Sequence, residues 1–524
     1  MKCKIVLTIA GLVLLSVKSL LAQVPSFSEE ALFLSRIQTG GSSRVLGMGG
    51  VQNSLGGDIS SASYNPAGLG MYNRSEFTIS PGYTMTSSSS SYLGNTNPQS
   101  KNTLIIPNFG IAFHNAQERT SGFLGGTFAI SYNRTNSFNK SFTFQGKNND
   151  NSVIDSYIQN ANGTNNSQFD SNVNNPGYNY NSPTGLAYNN YLIGPLTIID
   201  PSLSDSQYFT DVYPYQPTQT GTVKNTGSQG QWNFSYGANF SDKIFVGLGV
   251  GLASFKYKTD VTYVETFLDP YTFPNGTPAS PPLSPMSRMV LNESFNMSGT
   301  GINATLGAIY RPADVVQFGV SIATPTSYKI SSEYSAAMTT AWNNFQYDAK
   351  TLLNNVNYKT DLVTFDHTLS TPWRFTGGAT FFIQKKGLIS ADVEYLSYAN
   401  STYSSYSDNS SPDVDNKDVK SSFKSALNIR IGGEYRINKY RVRAGYSLMP
   451  DPYKTSPNGL DYSINSYSFG VGYRTSSFYI DVAGILGQTN QSYNPYILKG
   501  NPTSPHVSLK NSTTTIAVTL GFPF

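Results

Sequence analysis

Most of the chain after about residue 72 alternates between apolar side chains and polar or small ones with a period of two. In one such stretch the aliphatic positions are Ile244, Val246, Leu248, Val250 and Leu252, and the positions between them are mostly glycine. A period of two is typical of a β-strand whose two faces meet different surroundings. The pattern therefore predicts an all-β fold.

Fourteen segments alternate in this way, and the connections between them alternate strictly in length. The strands are predicted near 71–86, 101–114, 121–138, 228–241, 243–266, 288–310, 313–334, 358–383, 387–403, 418–437, 440–450, 461–474, 477–490 and 509–524. The long connections are predicted at 87–100, 139–227, 267–287, 335–357, 404–417, 451–460 and 491–508. Long loops at one end and short turns at the other are typical of an antiparallel transmembrane β-barrel of the outer membrane.

A barrel in a membrane has to close, because hydrocarbon offers no hydrogen-bond partners to an open sheet edge. The first predicted strand is therefore expected to pair with the fourteenth. The last strand alternates up to Phe522 and Phe524. This ending resembles the insertion signal that the bacterial barrel-assembly machinery reads, so we expect these two residues to form a C-terminal assembly signal.

The beginning of the chain predicts a secretory signal peptide, residues 1–22. Lys2 and Lys4 precede an apolar stretch at 5–17, and cleavage is expected after Ala22. That stretch is too short to cross about 30 Å of hydrocarbon as a helix. The single cysteine, Cys3, would leave with this leader. The mature protein is then expected to hold no disulfide and no cysteine-ligated metal.

Composition narrows the class of protein further. Charged residues make up 13% of the chain and the net charge is +4, part of which lies in the leader, so no basic surface for nucleic acid is expected. The chain has three histidines, His114, His367 and His506, and none of the common catalytic or phosphate-binding motifs. We therefore expect no enzymatic activity, no catalytic or metal site and no cofactor.

Residues 23–70 do not alternate, and they are predicted to form a plug inside the barrel. Ser28 is expected to cap a short helix that runs to Gln38. Residues 40–50 read Gly-Gly-Ser-Ser-Arg-Val-Leu-Gly-Met-Gly-Gly, and residues 64–69 read Tyr-Asn-Pro-Ala-Gly-Leu. Small residues permit close backbone packing. The predicted organisation is a signal peptide (1–22), a plug (23–70) and a barrel (71–524), whose largest external loop, 139–227, is expected to be mainly solvated.

These two stretches strongly resemble the N-terminal hatch of the long-chain fatty-acid transporter family, which also includes channels for toluene and other aromatic hydrocarbons. Weaker similarities are Thr-Pro-Trp-Arg at 371–374, Ala-Asp-Val-Glu-Tyr at 391–395 and the stretch 430–446. The resemblance implies a fourteen-stranded barrel closed by a hatch. It also implies that the hatch turn falls on Asn65, Pro66 and Ala67, followed by Gly68 and Leu69.

Members of that family release hydrophobic molecules sideways beside a kinked third strand. Gly125 and Gly126 in the third predicted strand are candidates for such a kink, and an equally good interpretation is that they make room for the plug. Whether this channel opens laterally is left open by the sequence.

Charged residues also occur on the face that points into the predicted barrel. They are Arg374, Asp392, Glu394, Arg430, Glu434, Arg436, Arg441, Arg443, Arg474 and Asp481. An arginine facing lipid at the midplane costs about 2–4 kcal/mol, so these side chains are expected to line the lumen. We favour mutual pairing and anchoring of the plug; the alternative is that some arginines steer a substrate carboxylate.

The sequence thus predicts a monomeric outer-membrane channel for passive uptake of a hydrophobic small molecule. Its expected partners are the solute, the surrounding lipid and the barrel-assembly machinery. The solute itself is left open among a fatty acid, an aromatic hydrocarbon and a porphyrin. The alternative function is a structural or protein-secretion-associated barrel.

Overall fold

The structure is a computed structural model that describes residues 25–170, 178–200, 202–212, 216–267, 285–384, 386–500 and 504–524. The signal peptide predicted at 1–22 lies outside the described residues. The helices are α1 (Phe27–Ser35), α2 (Ser43–Leu46), α3 (Ser61–Tyr64), α4 (Val153–Ala161), α5 (Pro183–Asn189) and α6 (Asp413–Ser422). Short 3-10 helices span Pro66–Met71, Asn166–Gln168, Tyr178–Tyr180, Leu196–Ile198, Tyr398–Asn400 and Pro457–Gly459.

Antiparallel strands make up most of the remaining chain. They are β1 (Glu76–Tyr92), β2 (Asn95–Ala116), β3 (Phe123–Ser137), β4 (Lys140–Lys147), β5 (Gly194–Pro195), β6 (Tyr208–Phe209), β7 (Thr218–Phe240), β8 (Ile244–Thr266), β9 (Met286–Ala313), β10 (Val316–Ala323), β11 (Ser327–Gln346), β12 (Leu352–Lys359), β13 (Val363–Ser370), β14 (Arg374–Ile383), β15 (Gly387–Ser397), β16 (Thr402–Tyr406), β17 (Ser425–Ile437), β18 (Tyr440–Met449), β19 (Ile464–Arg474), β20 (Tyr479–Tyr493) and β21 (Val507–Pro523).

The strands form a closed barrel, as the sequence predicts. β1 pairs with β2 on one side and with β21 on the other, where Phe77 lies opposite Phe522. Several of the 14 barrel strands are interrupted: the third consists of β3 and β4, the seventh of β10 and β11, the eighth of β12 to β14, and the ninth of β15 and β16. β5 and β6 form a separate two-stranded sheet.

Two of the predicted long connections are wrong, and a third, 139–227, is too long because β4 covers 140–147 and β7 begins at residue 218. β1 and β2 continue to a tight turn at Leu93 and Gly94, so 87–100 is strand rather than loop. β11 likewise extends to Gln346 and β12 begins at Leu352. These two strands therefore occupy most of the loop predicted at 335–357. Both hairpins project beyond the apolar part of the barrel, where outward positions are polar. The alternation that reveals a strand is therefore absent there.

The outer surface carries an apolar band near one end of the barrel. On β8 the exposed side chains from Ile244 to Leu252 are aliphatic, and the next exposed positions are Ser254, Lys256 and Lys258. Nine residues at roughly 3.3 Å, tilted by about 40°, rise about 23 Å, which matches the apolar band of a membrane barrel. We call the end with short connections, such as 438–439, the turn end, and the opposite end the loop end.

The lumen is filled from within. Residues 25–75 lie inside the barrel near the apolar band, and hydrogen bonds join them to β10, β15, β19 and β21. At the loop end α4 and α5 bury Ile154, Tyr157 and Leu186 in the main hydrophobic core, so these two parts of the loop expected to be mainly solvated are packed. No helix in the described ranges is long and apolar enough to cross a membrane.

Candidate functional site in the barrel lumen

The Asn-Pro-Ala turn of the N-terminal segment rests on three glycines of the barrel wall. Gly237 of β7 pairs with Gly247 of β8, which pairs with Gly307 of β9, and all three face the lumen. A Cβ on Gly237 or Gly247 would overlap the backbone of Pro66, and a Cβ on Gly307 would overlap the side chain of Asn65. Only glycine leaves room for the turn at these positions.

The turn itself is held by the Asn65 side chain. Its Oδ1 accepts a hydrogen bond of 3.2 Å from the Ala67 backbone and so caps the 3-10 helix Pro66–Met71, while its Nδ2 donates to the carbonyl of Asn53 at 2.6 Å. Gly68 packs against Gly56, and Leu69 is fully buried against neighbours that include Ile59. The residues predicted from the family motif therefore form one compact contact with the wall.

A second pair of glycines receives residues 47–50 on the other side of the lumen. Gly432 of β17 and Gly445 of β18 are register partners, and a Cβ on either would overlap the backbone of Met48 or Gly49. The Gly49 amide donates to Ser468 Oγ at 2.8 Å. The N-terminal segment is thus seated on glycines of two separate parts of the barrel.

Charged side chains in the lumen form two clusters beside these glycine contacts. In the first, Glu394 lies 3.4 Å from both Arg374 and Arg430 and accepts from Asn428 at 2.7 Å. Next to it Asp392 Oδ2 accepts from the backbone amides of residues 52 and 53, at 2.7 and 2.9 Å. A wall carboxylate therefore bonds directly to the N-terminal segment.

The second cluster is centred on Glu434. Its carboxylate lies 2.9 Å from Arg436, 2.9 Å from Arg443 and 3.6 Å from Arg44 of the N-terminal segment. Arg443 also pairs with Asp481 at 2.6 Å. Because Glu434, Arg443 and Arg44 are almost fully buried, these charges are compensated by one another rather than by solvent. Arg44 is an essential member that the inward pattern of the strands does not reveal.

The remaining predicted residues lie outside these clusters. Arg441 bonds to backbone carbonyls at the turn end, and Arg474 stacks on the Tyr479 ring at 4.2 Å. Gly125 lies at a register shift between β3 and β7, near Asn115, and not against the N-terminal segment; Gly126 approaches the Tyr236 side chain. The interpretation that this pair makes room for the plug is therefore not supported by its contacts.

The N-terminal helix makes a contact that the sequence analysis missed. Ser26, and not Ser28, caps α1, because Glu29 at the third helical position completes the capping box with Ser26. Glu30, on the next position, points into the wall and lies 2.6 Å from His367 Nε2 of β13. Rings of Phe27, Phe365, Tyr403 and Tyr406 surround this pair. No local pattern links residues so distant in the chain.

Between α1 and the loop end, the lumen is packed with aromatic and apolar side chains, and we call this cluster the aromatic chamber. Its buried members include Tyr92, Phe138, Phe142, Phe144, Tyr157, Tyr257, Tyr263, Met289, Leu291, Phe295, Met297, Tyr334 and Met338. Phe33 of α1 stacks on Phe138 with ring centroids 3.9 Å apart. The N-terminal helix thus forms part of the chamber wall.

Two carboxylates lie in the aromatic chamber. Glu265 accepts hydrogen bonds from the Val153 amide at 2.9 Å, from Gln219 at 2.7 Å and from Tyr263 at 2.9 Å. Glu293 accepts from Tyr334 at 2.6 Å, and its other oxygen is buried without a partner among the described residues. The polar groups buried in this apolar cluster are therefore carboxyl, amide and hydroxyl groups.

The three histidines are separate from one another. His114 bonds to Thr127 at 3.0 Å, His367 bonds to Glu30, and His506 is exposed. Within the described ranges, no three or more His, Cys, Asp or Glu side chains are grouped so that they could hold a metal ion.

Comparison with known proteins gives matches in structure only. The sequence matches no family model and no curated protein. A FadL homologue of Pseudomonas aeruginosa is similar in structure with a TM-score of 0.54 at 12% identity, over 93% of this chain and 99% of that one. The toluene transporter TodX of P. putida is similar with a TM-score of 0.51 at 12% identity, over the same shares of the two chains. The resemblance predicted from the N-terminal motif is confirmed for the fold, and the chain has the barrel architecture that the FadL homologue and TodX share.

Proposed function

We propose that the protein is an outer-membrane channel for the passive uptake of a hydrophobic small molecule. The observation that carries this proposal is the aromatic chamber, which lies inside a closed barrel between the loop end and α1. Apolar side chains turned towards the lumen bind apolar solutes, whereas a water-filled pore has a polar interior. The apolar band on the outer surface supports a membrane location.

The solute reaches the periplasmic side only if the N-terminal segment moves or a side opening forms, because that segment fills the lumen near the apolar band. Transport then needs no cofactor: the gradient of the solute and its capture downstream are sufficient. TodX, which has a similar structure, is a toluene transporter, and this supports the same class of solute.

The polar groups of the chamber favour a neutral solute over a fatty-acid anion. Glu265 and Glu293 lie in the chamber, and neither carboxyl group supplies the positive charge that a buried solute carboxylate needs. The ammonium group of Lys140 lies 6.0 Å from the centre of the Phe142 ring of the chamber, and it is already bonded to Gln491. A monoaromatic hydrocarbon therefore fits the chamber better than a long-chain carboxylate.

Uptake by cells or vesicles that contain the protein tests the proposal. We expect faster entry of radiolabelled toluene than in matched membranes without the protein, and little gain for palmitate. Equal entry with and without the protein for both solutes, together with a stable copurifying protein, would favour the secretion-associated alternative instead.

A further inference from the structure

A groove of about 920 Å³ crosses the outer surface of the barrel on the loop side of the apolar band. Residues of β3, β7, β8, β9, β11, β13 and β16 line it, and the outward-facing ones include Ser254, Lys256, Thr300, Lys329 and Asp366. Most of them are glycine, serine or threonine, and the charged ones are Lys256, Lys329 and Asp366. Because these side chains are small, the outer surface of the barrel is concave at this level.

The groove begins where the aliphatic surface stops. Leu252 and Ile302 are register partners, both exposed, and they end the apolar band on β8 and β9. The next outward positions, Ser254 and Thr300, already line the groove. Two residues along a strand correspond to about 7 Å, so the groove lies at the depth of lipid headgroups if the band lies in hydrocarbon.

The two lysines lie on either side of β9. Lys256 is the register partner of Ser298, and Lys329 is the partner of Thr300 two positions away. Strand spacings of about 4.8 Å and a rise of about 3.3 Å per residue place their Cα atoms about 12 Å apart, so both side chains reach a common ligand.

Neither lysine has a hydrogen-bond or ion-pair partner among the described residues. The neighbouring Lys258 differs, because it pairs with Asp260 at 3.1 Å. Asp366, on β13, lies opposite Ser331, one strand away from Lys329 and two positions along it, and it leaves one net positive charge in the lining. The groove therefore offers two free ammonium groups and several hydroxyl donors above an aliphatic surface.

We propose that this groove binds the phosphorylated headgroup of an outer-leaflet lipid. The phosphate oxygens accept charge-assisted hydrogen bonds from Lys256 and Lys329 and further bonds from the serine and threonine hydroxyls. The acyl chains lie against Leu252 and Ile302. The inference rests on the proposed membrane location, and not on the identity of the solute.

Native mass spectrometry of the full-length, detergent-purified protein tests this site, with bis-phosphorylated lipid A as the probe. At about 1 kcal/mol for each lysine near a membrane surface, the double variant Lys256→Gln/Lys329→Gln should bind roughly 30-fold more weakly. The matched control is Lys224→Gln/Lys510→Gln, which removes two exposed lysines outside the groove and should bind like the wild type. Unchanged circular dichroism confirms that both variants are folded.

Two further arms identify the source of the phosphate. Dephosphorylated lipid A should bind about as weakly as lipid A binds the groove variant, and inorganic phosphate at millimolar concentration should not displace the lipid. Equal binding of both lipids, loss of binding in both double variants, or full displacement by inorganic phosphate would overturn the proposal. Because toluene entry is measured separately, failure of the lipid site is distinguishable from failure of the proposed channel.

Discussion

His367 Nε2 and Glu30 Oε1 lie 2.6 Å apart, although 337 positions separate the two residues in the chain. Both side chains are almost fully buried, so this contact fastens the N-terminal helix to the wall of the barrel. The same helix supplies Phe33 to the aromatic chamber. One helix therefore contacts both the barrel wall, through Glu30, and the chamber, through Phe33.

Replacing His367 by phenylalanine should loosen α1. The variant keeps an aromatic ring but leaves the buried Glu30 carboxyl with only the Tyr403 hydroxyl, at 3.2 Å, as a partner. Losing one partner of a buried polar group costs about 1–3 kcal/mol. Hydrogen exchange of residues 27–35, measured by mass spectrometry, should become faster. His506→Phe changes an exposed histidine and should leave that exchange rate as in the wild type. Slow exchange in the His367 variant would show that the pair does not hold the helix.

Gly247→Ala should displace the Asn-Pro-Ala turn. The added methyl group would overlap Pro66, and overpacking typically costs about 1–3 kcal/mol. We expect a lower melting temperature by differential scanning calorimetry and more frequent channel openings in planar bilayers. Gly377→Ala is the matched control, because no atom lies within 4 Å of the Cβ it would add. Equal melting temperatures and equal opening frequencies in the two variants would contradict the close contact between Gly247 and Pro66.

Glu434→Gln should release the part of the N-terminal segment around Arg44. The substitution leaves Arg44 and Arg443 buried with too little negative charge, at a cost of about 3–5 kcal/mol. Limited proteolysis should cut residues 40–60 faster than in the wild type. Arg441→Gln removes a charge outside the Glu434 ion pairs and should leave the cleavage rate unchanged. Equal protection of all three proteins would contradict an anchoring role.

Deleting residues 23–70 should raise the single-channel conductance in planar lipid bilayers. Barrel closure between β1 and β21 does not involve this segment, so the barrel should still assemble. With the lumen unfilled near the apolar band, ions should pass more freely. Conductance equal to that of the full-length protein would mean that another part of the chain closes the pore.

The sequence predicts the barrel well because alternation is a local property. Residues such as Ile244 and Leu252 must face lipid, and the glycines between them must face inward, whatever the rest of the chain does. The inward charges Glu394, Arg430 and Glu434 are found in the same way. Alternation fails where a strand leaves the apolar band, and this is why the extended hairpins at 87–100 and 335–357 are read as loops.

The sequence by itself determined the class of fold, the number of barrel strands, the inward or outward side of most strand residues and the presence of a distinct N-terminal segment. Only the tertiary structure decided that Gly237, Gly247 and Gly307 meet under one turn, that Arg44 joins Glu434, and that Glu30 meets His367. The physical reason is that strand periodicity depends on neighbouring residues. The register between strands and the position of the N-terminal segment in the lumen depend on the sum of many contacts between residues far apart in the chain.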